Sequence, residues 1–211
     1  MSAPSAVMWQ ELLAELSRDW NVAEIELMNE AVADLHVKYA AKKKSLAGRT
    51  AMIVEDSVMM RMMLEEWLAK SNVIVTGRAE NGYEAVKLYN GDERYDYVFL
   101  NVTMPQLDGI EALSDFKKDR DSKIIMVTST KLSDLFLKSI HNGAHHVLYR
   151  PFDYGGLLSV MCAPSYFSPD QYGLVAGLLE GMGIAPGDME HELTQQDVFR
   201  LAALTRRRGN E

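Results

Sequence analysis

The sequence is poor in cysteine, in long apolar runs and in positive charge, and each shortage excludes a class of protein. Its single cysteine, Cys162, excludes an internal disulfide framework and a metal site built only from cysteines. No apolar run approaches the roughly 20 residues that a membrane helix needs. The formal net charge of −8 argues against a protein that lives on the nucleic-acid backbone.

The amino terminus, MSAPSAVMWQELLAEL, lacks the basic start of a secretory signal and reaches acidic residues early. We therefore expect a cytoplasmic protein with no membrane contact. What the sequence does contain is 47% apolar residues in a chain of 211, which is enough for one ordinary domain core with smaller appendages.

Three regions with different patterns predict three parts of the chain. Residues 1–48 form the first part, in which apolar residues recur at helical spacing with no Gly or Pro between Val7 and Lys44. Residues 49–163 alternate strand-like and helical runs. Residues 164–211 predict a C-terminal helical segment.

The N-terminal part contains a short apolar seam at alternating steps of three and four residues. Two interpretations fit this two-heptad pattern, a helical hairpin that makes a homodimer and a helix that packs on its own domain. The dimer is the partner that we predict from this segment, and the packed helix stays open as the alternative. The seam consists of Ile25, Met28, Val32, Leu35 and Tyr39.

The middle part predicts an α/β fold, a doubly wound five-stranded parallel sheet of the flavodoxin-like kind with helical N- and C-terminal extensions. Each strand-like run is followed by a helical one, which favours parallel strands with helices on both faces. Ser57 and Asn81 are candidate caps for the first two helices. The predicted strands are 51–54, 73–76, 97–100, 124–127 and 146–149.

Polar side chains follow three of these strands at the point where each strand ends. Glu55 and Asp56 follow the first strand, Asn101 the third and Thr128 the fourth. In a flavodoxin-like strand order the first and third strands are neighbours at the topological switch point, so these side chains can meet. Two carboxylates and a carbonyl oxygen suit a hard cation, and the sequence therefore predicts a candidate Mg²⁺ site at this edge.

Residues from about Thr50 to Ala163 resemble a receiver domain of the two-component response-regulator family. The resemblance rests on the acidic pair in VEDS, the NVTMPQLDG loop, ENGYEA, Thr128 and the pair Pro151-Phe152. It implies the receiver fold and a role in phosphorelay signalling.

The resemblance also implies a role for each matching position. In the family, the position of Asn101 is an aspartate that accepts a phosphoryl group, and Mg²⁺ is held by the acidic pair, that aspartate and the carbonyl matching Thr103. By this match the metal residues are Glu55, Asp56, Asn101 and Thr103. The hydroxyl matching Thr128 moves to meet the phosphate.

Three of the matching positions depart from the family pattern. Asn101 carries an amide where a nucleophilic carboxylate is required, so it cannot form an acyl phosphate by the family's route. Arg150 replaces the lysine that pairs with the phosphate, and Val147 replaces the usual switch aromatic. We therefore predict a pseudo-receiver with no catalytic residue, which binds Mg²⁺ weakly or as a vestige.

The predicted function is that of a signalling protein, not an enzyme, that works without phosphorylation by binding other proteins, such as a histidine kinase. One alternative is a DNA-binding transcriptional regulator that uses residues 164–211. That segment is short, acidic in balance and without helix-turn-helix spacing, which disfavours nucleic acid as a partner. The other alternative is a phosphoaccepting receiver whose aspartate was replaced by Asn101.

Overall fold

The computed structural model describes residues 45–163, 165, 167, 172–184, 192–194, 197, 198 and 201. The chain divides into two compact units, Met1–Lys44 and Ser45–Glu211. Every described residue belongs to the second unit. The apolar seam and the predicted dimer therefore lie outside the described residues.

Five parallel strands form one sheet in the order β2-β1-β3-β4-β5. This order and the helices between the strands confirm the predicted doubly wound receiver-like fold. Among the described residues, no helix has both the length and the apolar character to cross a membrane. The strands are β1 (Thr50–Val54), β2 (Ile74–Ala79), β3 (Tyr97–Asn101), β4 (Lys123–Thr128) and β5 (His146–Tyr149), and the helices are α1 (Val58–Lys70), α2 (Gly82–Tyr89), α3 (Gly109–Ser114), α4 (Ser133–His141), α5 (Tyr154–Cys162) and α6 (Tyr172–Gly181).

The sheet separates two apolar cores, and successive residues of β1 point into opposite ones. Ala51 and Ile53 pack with α1 and α5 on one face. Met52 and Val54 pack with α2, α3 and α4 on the other. Because both faces are covered, the central strands are apolar in their middle, and polar side chains appear only at their two ends.

Short side chains start the helices, as the sequence predicts. The Ser57 hydroxyl accepts a hydrogen bond from the Met60 N–H at 3.4 Å, and the Asn81 side chain accepts one from the Glu84 N–H at 3.0 Å. Asp108 and Glu111 form a capping box at the start of α3. These caps fix the chain direction after β1, β2 and β3, whereas α4, which follows β4, starts after Leu132 without a side-chain cap.

Three elements differ from the sequence prediction. Residues 45–49 predict a short linker, but the second of them, Leu46, is packed and only 1% exposed. β2 covers 74–79 and not 73–76. The sequence predicts a helix from Ile110 to about Lys118, but α3 ends at Ser114, and Phe116 beyond it stacks on Tyr89 with ring centroids 4.1 Å apart.

Candidate functional site

Glu55 is a buried carboxylate at the carboxyl end of β1. Its residue is 1% exposed, whereas Asp56 beside it is exposed. The Glu55 carboxylate accepts a hydrogen bond from the Ser57 N–H at 3.2 Å and pairs with the Arg150 guanidinium. Burial raises the pKa of Glu55, and the attraction of Arg150 opposes that rise. Glu55 is thus a buried acid whose principal charge partner is Arg150, 95 positions away in the chain.

The Asn101 side chain lies at the carboxyl end of β3 and is turned toward oxygen atoms. Its Nδ2 donates to Asp56 Oδ1 at 3.0 Å and to the Thr103 carbonyl at 2.9 Å, with a longer contact to Glu55 Oε1 at 3.5 Å. All three partners are acceptors, so the hydrogen-bond network places the amide nitrogen, and not its oxygen, on this side. The amide therefore acts as a donor where the family places an acceptor carboxylate.

Gly109 fixes the shape of the loop between β3 and α3. A Cβ atom at this position would lie 2.0 Å from the Asn101 carbonyl oxygen, far inside van der Waals contact. The Gly109 N–H donates to the Val102 carbonyl at 2.8 Å, which folds the loop back on the strand end. The glycine allows the backbone to approach closely enough for the Thr103 carbonyl to face Asn101.

Thr128 and Val147 are placed by the register of the sheet. Asn101 pairs with Val127 of β4, and Thr128 is the next residue at that edge. The Thr128 hydroxyl accepts from the Thr130 N–H at 3.0 Å, so it is bonded within its own loop. Val147 lies inside β5, is 2% exposed and pairs with Met126.

The sequence-predicted residues fall into two groups. Glu55, Asp56, Asn101, the Thr103 carbonyl and Arg150 are joined by the hydrogen bonds given above. Thr128 is linked to that group through the backbone, because the Arg150 N–H donates to its carbonyl at 2.8 Å, and Val147 lies deeper in the sheet.

Sequence reasoning missed Arg61, which joins the acidic loop to the next strand. Its Nη1 donates to the Glu55 carbonyl at 2.6 Å, and its Nη2 pairs with Glu80 at 2.8 Å. Six positions separate it from Glu55, which places it on the second turn of α1 near the site. That spacing is the only signal in the sequence, and it does not distinguish Arg61 from an ordinary surface cation.

The oxygen atoms that could hold Mg²⁺ are those of Glu55, Asp56 and the Thr103 carbonyl. Here the amide N–H groups of Asn101 point at these oxygens, and the Arg150 guanidinium occupies the Glu55 carboxylate. A cation at this place would meet donor hydrogens, so the arrangement does not fit a tightly bound metal. In the described part of the chain, no group of three His, Cys, Asp or Glu side chains could hold a metal ion either.

Comparisons with known proteins give the same family for the strand and helix core. A family model, the response regulator receiver domain, matches residues 51–161. The chemotaxis protein CheY of Thermotoga maritima is 35% identical over 106 residues, which make up 50% of this chain and 88% of that protein. CheY of Bacillus subtilis is 36% identical over 102 residues, 48% of this chain and 84% of the relative.

One solved structure is similar at the level of both fold and sequence. It is the CheX-CheY-BeF3-Mg²⁺ complex from Borrelia burgdorferi, with a TM-score of 0.51 and 28% identity. The match covers 54% of this chain and 87% of that one. The family match ends at residue 161, one residue before the end of α5, and the residues that follow have no counterpart in it.

Proposed function

Because the chain belongs to the response regulator receiver domain family, we propose that it is a receiver that signals without phosphorylation and acts by binding protein partners. The observation that carries the proposal is the contact of Asn101 Nδ2 with Asp56 Oδ1 and the Thr103 carbonyl at 3.0 and 2.9 Å. An amide nitrogen in that place is neither a nucleophile nor a metal ligand. Instead, the Asn101 amide occupies the Asp56 carboxylate and the Thr103 carbonyl with hydrogen bonds.

Arg150 supports the same proposal from the other side of the pocket. A receiver that accepts a phosphoryl group needs a free cation to meet the incoming anion, and here the guanidinium is paired with Glu55. To meet a phosphate the guanidinium would have to leave the buried Glu55 carboxylate without its cation, which is costly. With the nucleophile absent and the cation engaged, the site acts as a fixed structural unit, and signalling depends on the surface that the fold presents.

The proposal extends to the cofactor and the partners. We propose that Mg²⁺ binds weakly, because a cation must compete with the Asn101 amide and with Arg150 for the same oxygens. The partner class that we propose is a signalling protein such as a histidine kinase or an adaptor, since the Borrelia CheY is seen bound to CheX. Turnover of a substrate is not part of this function.

The decisive experiment is exposure of the full chain to acetyl phosphate with Mg²⁺, read by intact mass. We expect no phosphate adduct. The matched control is Asn101→Asp, which restores a carboxylate at the same position and should gain an adduct if the remaining site is intact. An adduct on the unaltered chain would overturn the proposal, and mapping it would identify the residue that replaces the aspartate.

If Asn101→Asp also stays unmodified, the double variant Asn101→Asp/Arg150→Lys tests whether Arg150 prevents phosphorylation. Lysine restores the family's cation as a compact ammonium in place of the planar guanidinium. An adduct on the double variant alone would assign the remaining loss to Arg150. Calorimetric titration of Mg²⁺ into the same proteins measures whether the metal site returns together with the carboxylate.

A further inference from the structure

Described residues that follow α5 pack against α4. The described ones, residues 165 to 201 in the ranges given above, are here called the C-terminal segment. Phe167 is 1% exposed and lies edge-on against Phe136 of α4, with ring centroids 5.3 Å apart and planes at 90°. Val175 and Leu179 of α6 are fully buried in the same apolar core. The segment therefore closes the core beside the edge strand β5.

Backbone hydrogen bonds also tie the segment to the loop between β4 and α4. The Leu193 N–H donates to the Lys131 carbonyl at 2.7 Å, and Glu192 forms an antiparallel bridge with Leu132. Leu193 itself is fully buried. Bonds of this kind require one particular register, which apolar packing alone would not impose.

The other end of this loop is bonded to the candidate site. The Thr128 hydroxyl accepts from the Thr130 N–H at 3.0 Å, and the Thr128 carbonyl accepts from the Arg150 N–H at 2.8 Å. The loop from Thr128 to Leu132 is thus held at one end by the site and at the other by the C-terminal segment. Only three residues lie between these two ends.

We propose that the C-terminal segment is an internal clamp on the β4–α4 loop, so that release of the segment and movement of Thr128 form one coupled equilibrium. A partner that binds the covered face of α4 must displace the segment, and the displacement frees the loop beside the site. Coupling of this kind is reciprocal, because each end changes the other by the same factor. The clamp goes beyond the proposed function and does not depend on whether Asn101 can be phosphorylated.

The first test is hydrogen exchange, followed by mass spectrometry, on the full chain and on Thr128→Val. The substitution removes the hydroxyl that receives the Thr130 N–H and keeps the shape of the side chain. We expect amides around Leu193 to exchange several-fold faster, as loss of a single hydrogen bond implies. The matched control is Thr50→Val at the opposite end of the sheet, which should leave those amides unchanged relative to β3.

The second test closes the clamp covalently and does not rely on Thr128→Val folding well. Cysteines at Leu132 and Glu192, in a Cys162→Ser chain, lie opposite each other in an antiparallel pair, which is within reach of a disulfide. Oxidised and reduced forms of this one protein are then compared. We expect the oxidised form to protect the amides of residues 129–132 several-fold more than the reduced form does.

Four outcomes would overturn the proposal. The first is equal exchange around Leu193 in Thr128→Val, Thr50→Val and the unaltered chain. The second is a disulfide that forms without any change at residues 129–132, and the third is failure of the two cysteines to pair under oxidation. The fourth is exchange of the amides of the C-terminal segment at the same rate as those of β3, because the segment would then open only when the whole domain unfolds.

Discussion

The two ends of the sheet both bring polar side chains together, but they satisfy them in different ways. At the carboxyl end, Glu55, Arg150 and Asn101 are bonded chiefly to other side chains. At the amino end, polar side chains are bonded largely to the backbone, as when Lys123 Nζ donates to the Met161 carbonyl at 3.0 Å and His145 Nδ1 accepts from the Ile124 N–H at 3.1 Å.

The difference separates a functional arrangement from a structural one. A side chain that is hydrogen-bonded to the backbone of another element holds the two elements together in one arrangement. A set of side chains bonded to one another shares its charge, so that one substitution changes the state of all of them. A change of one residue at the carboxyl end can therefore alter function as well as stability, whereas at the amino end it changes stability alone.

The largest effect is expected from Arg150→Met, which removes the cation that pairs with Glu55 at the carboxyl end of the sheet. It leaves Glu55 as a buried charge without its guanidinium and should lower the free energy of unfolding by about 3 kcal/mol at neutral pH. The pKa of Glu55 is raised by burial, and an acid whose folded-state pKa is above its unfolded value favours folding only while protonated. The loss should therefore shrink as the pH is lowered into the acid range, which urea denaturation at two pH values measures.

The matched control for this variant is Glu55→Gln/Arg150→Met, in which both charges are absent. It should recover most of the lost stability and show little dependence on pH. If the double variant is as unstable as Arg150→Met at neutral pH, the effect belongs to lost packing by the arginine stem and not to the charge of Glu55.

A smaller effect is expected from Asp96→Ala at the amino end. Burial acts to raise the pKa of Asp96, but hydrogen bonds from the Thr50 N–H at 2.8 Å and from Arg49 at 2.6 Å outweigh it, and the pKa is lowered. The substitution should cost about 2 kcal/mol, since charge-assisted hydrogen bonds are lost. Because the folded-state pKa is depressed, this contribution is present above a pH of about 3.9 and disappears as the pH falls further.

Denaturation curves of Asp96→Ala and of Asp92→Ala, an exposed aspartate nearby, make the comparison direct. Asp92→Ala should stay within about 0.5 kcal/mol of the unaltered chain. Equal losses in the two variants would mean that the paired carboxylate does not hold the start of β1. Phosphate acceptance by Asn101→Asp should be the same with and without Asp96→Ala, because the two ends are independent.

The smallest effect is a pH dependence that comes from His145. Burial lowers the pKa of His145 below its ordinary value of 6.5, and Lys123 lowers it further. The unfolded chain then binds a proton that the folded chain does not, so stability falls as the pH drops through about 6.5, by at most about 1.4 kcal/mol per pH unit. Protonation of Nδ1 would also break its bond from the Ile124 N–H.

Thermal unfolding between pH 7.5 and 5.5 measures this slope. His145→Gln should flatten it, whereas His141→Gln, at the exposed end of α4, should leave it in place. An unchanged slope in His145→Gln would assign the dependence to another group.

The sequence predicts the carboxyl ends of β1, β3 and β4 to within one residue because apolar runs stop there, and Glu55, Asp56 and Asn101 do come together. It does not predict that the Asn101 nitrogen faces the acidic pair, since an amide can turn either side inward. The pairing of Glu55 with Arg150 joins positions 95 apart, and no local pattern encodes it.

The ends of β2 and α3 are predicted less well. β2 extends to Ala79 through Gly77 and Arg78, which are poor strand residues locally, because β1 supplies the pairing. The helix at Ile110 stops early because Phe116 packs on Tyr89, a contact between different elements. The packing of Phe167 on α4 is of the same kind and is equally invisible in the local sequence.

Gly109 has a consequence for how this protein could have diverged. The space beside the Asn101 carbonyl excludes any side chain at position 109, whatever the residue at 101 can do chemically. Selection for a folded loop would therefore keep the glycine in a lineage that had already given up the reaction. In such a lineage the outline of an ancestral site survives as a by-product of steric exclusion, long after selection for its original use has ended.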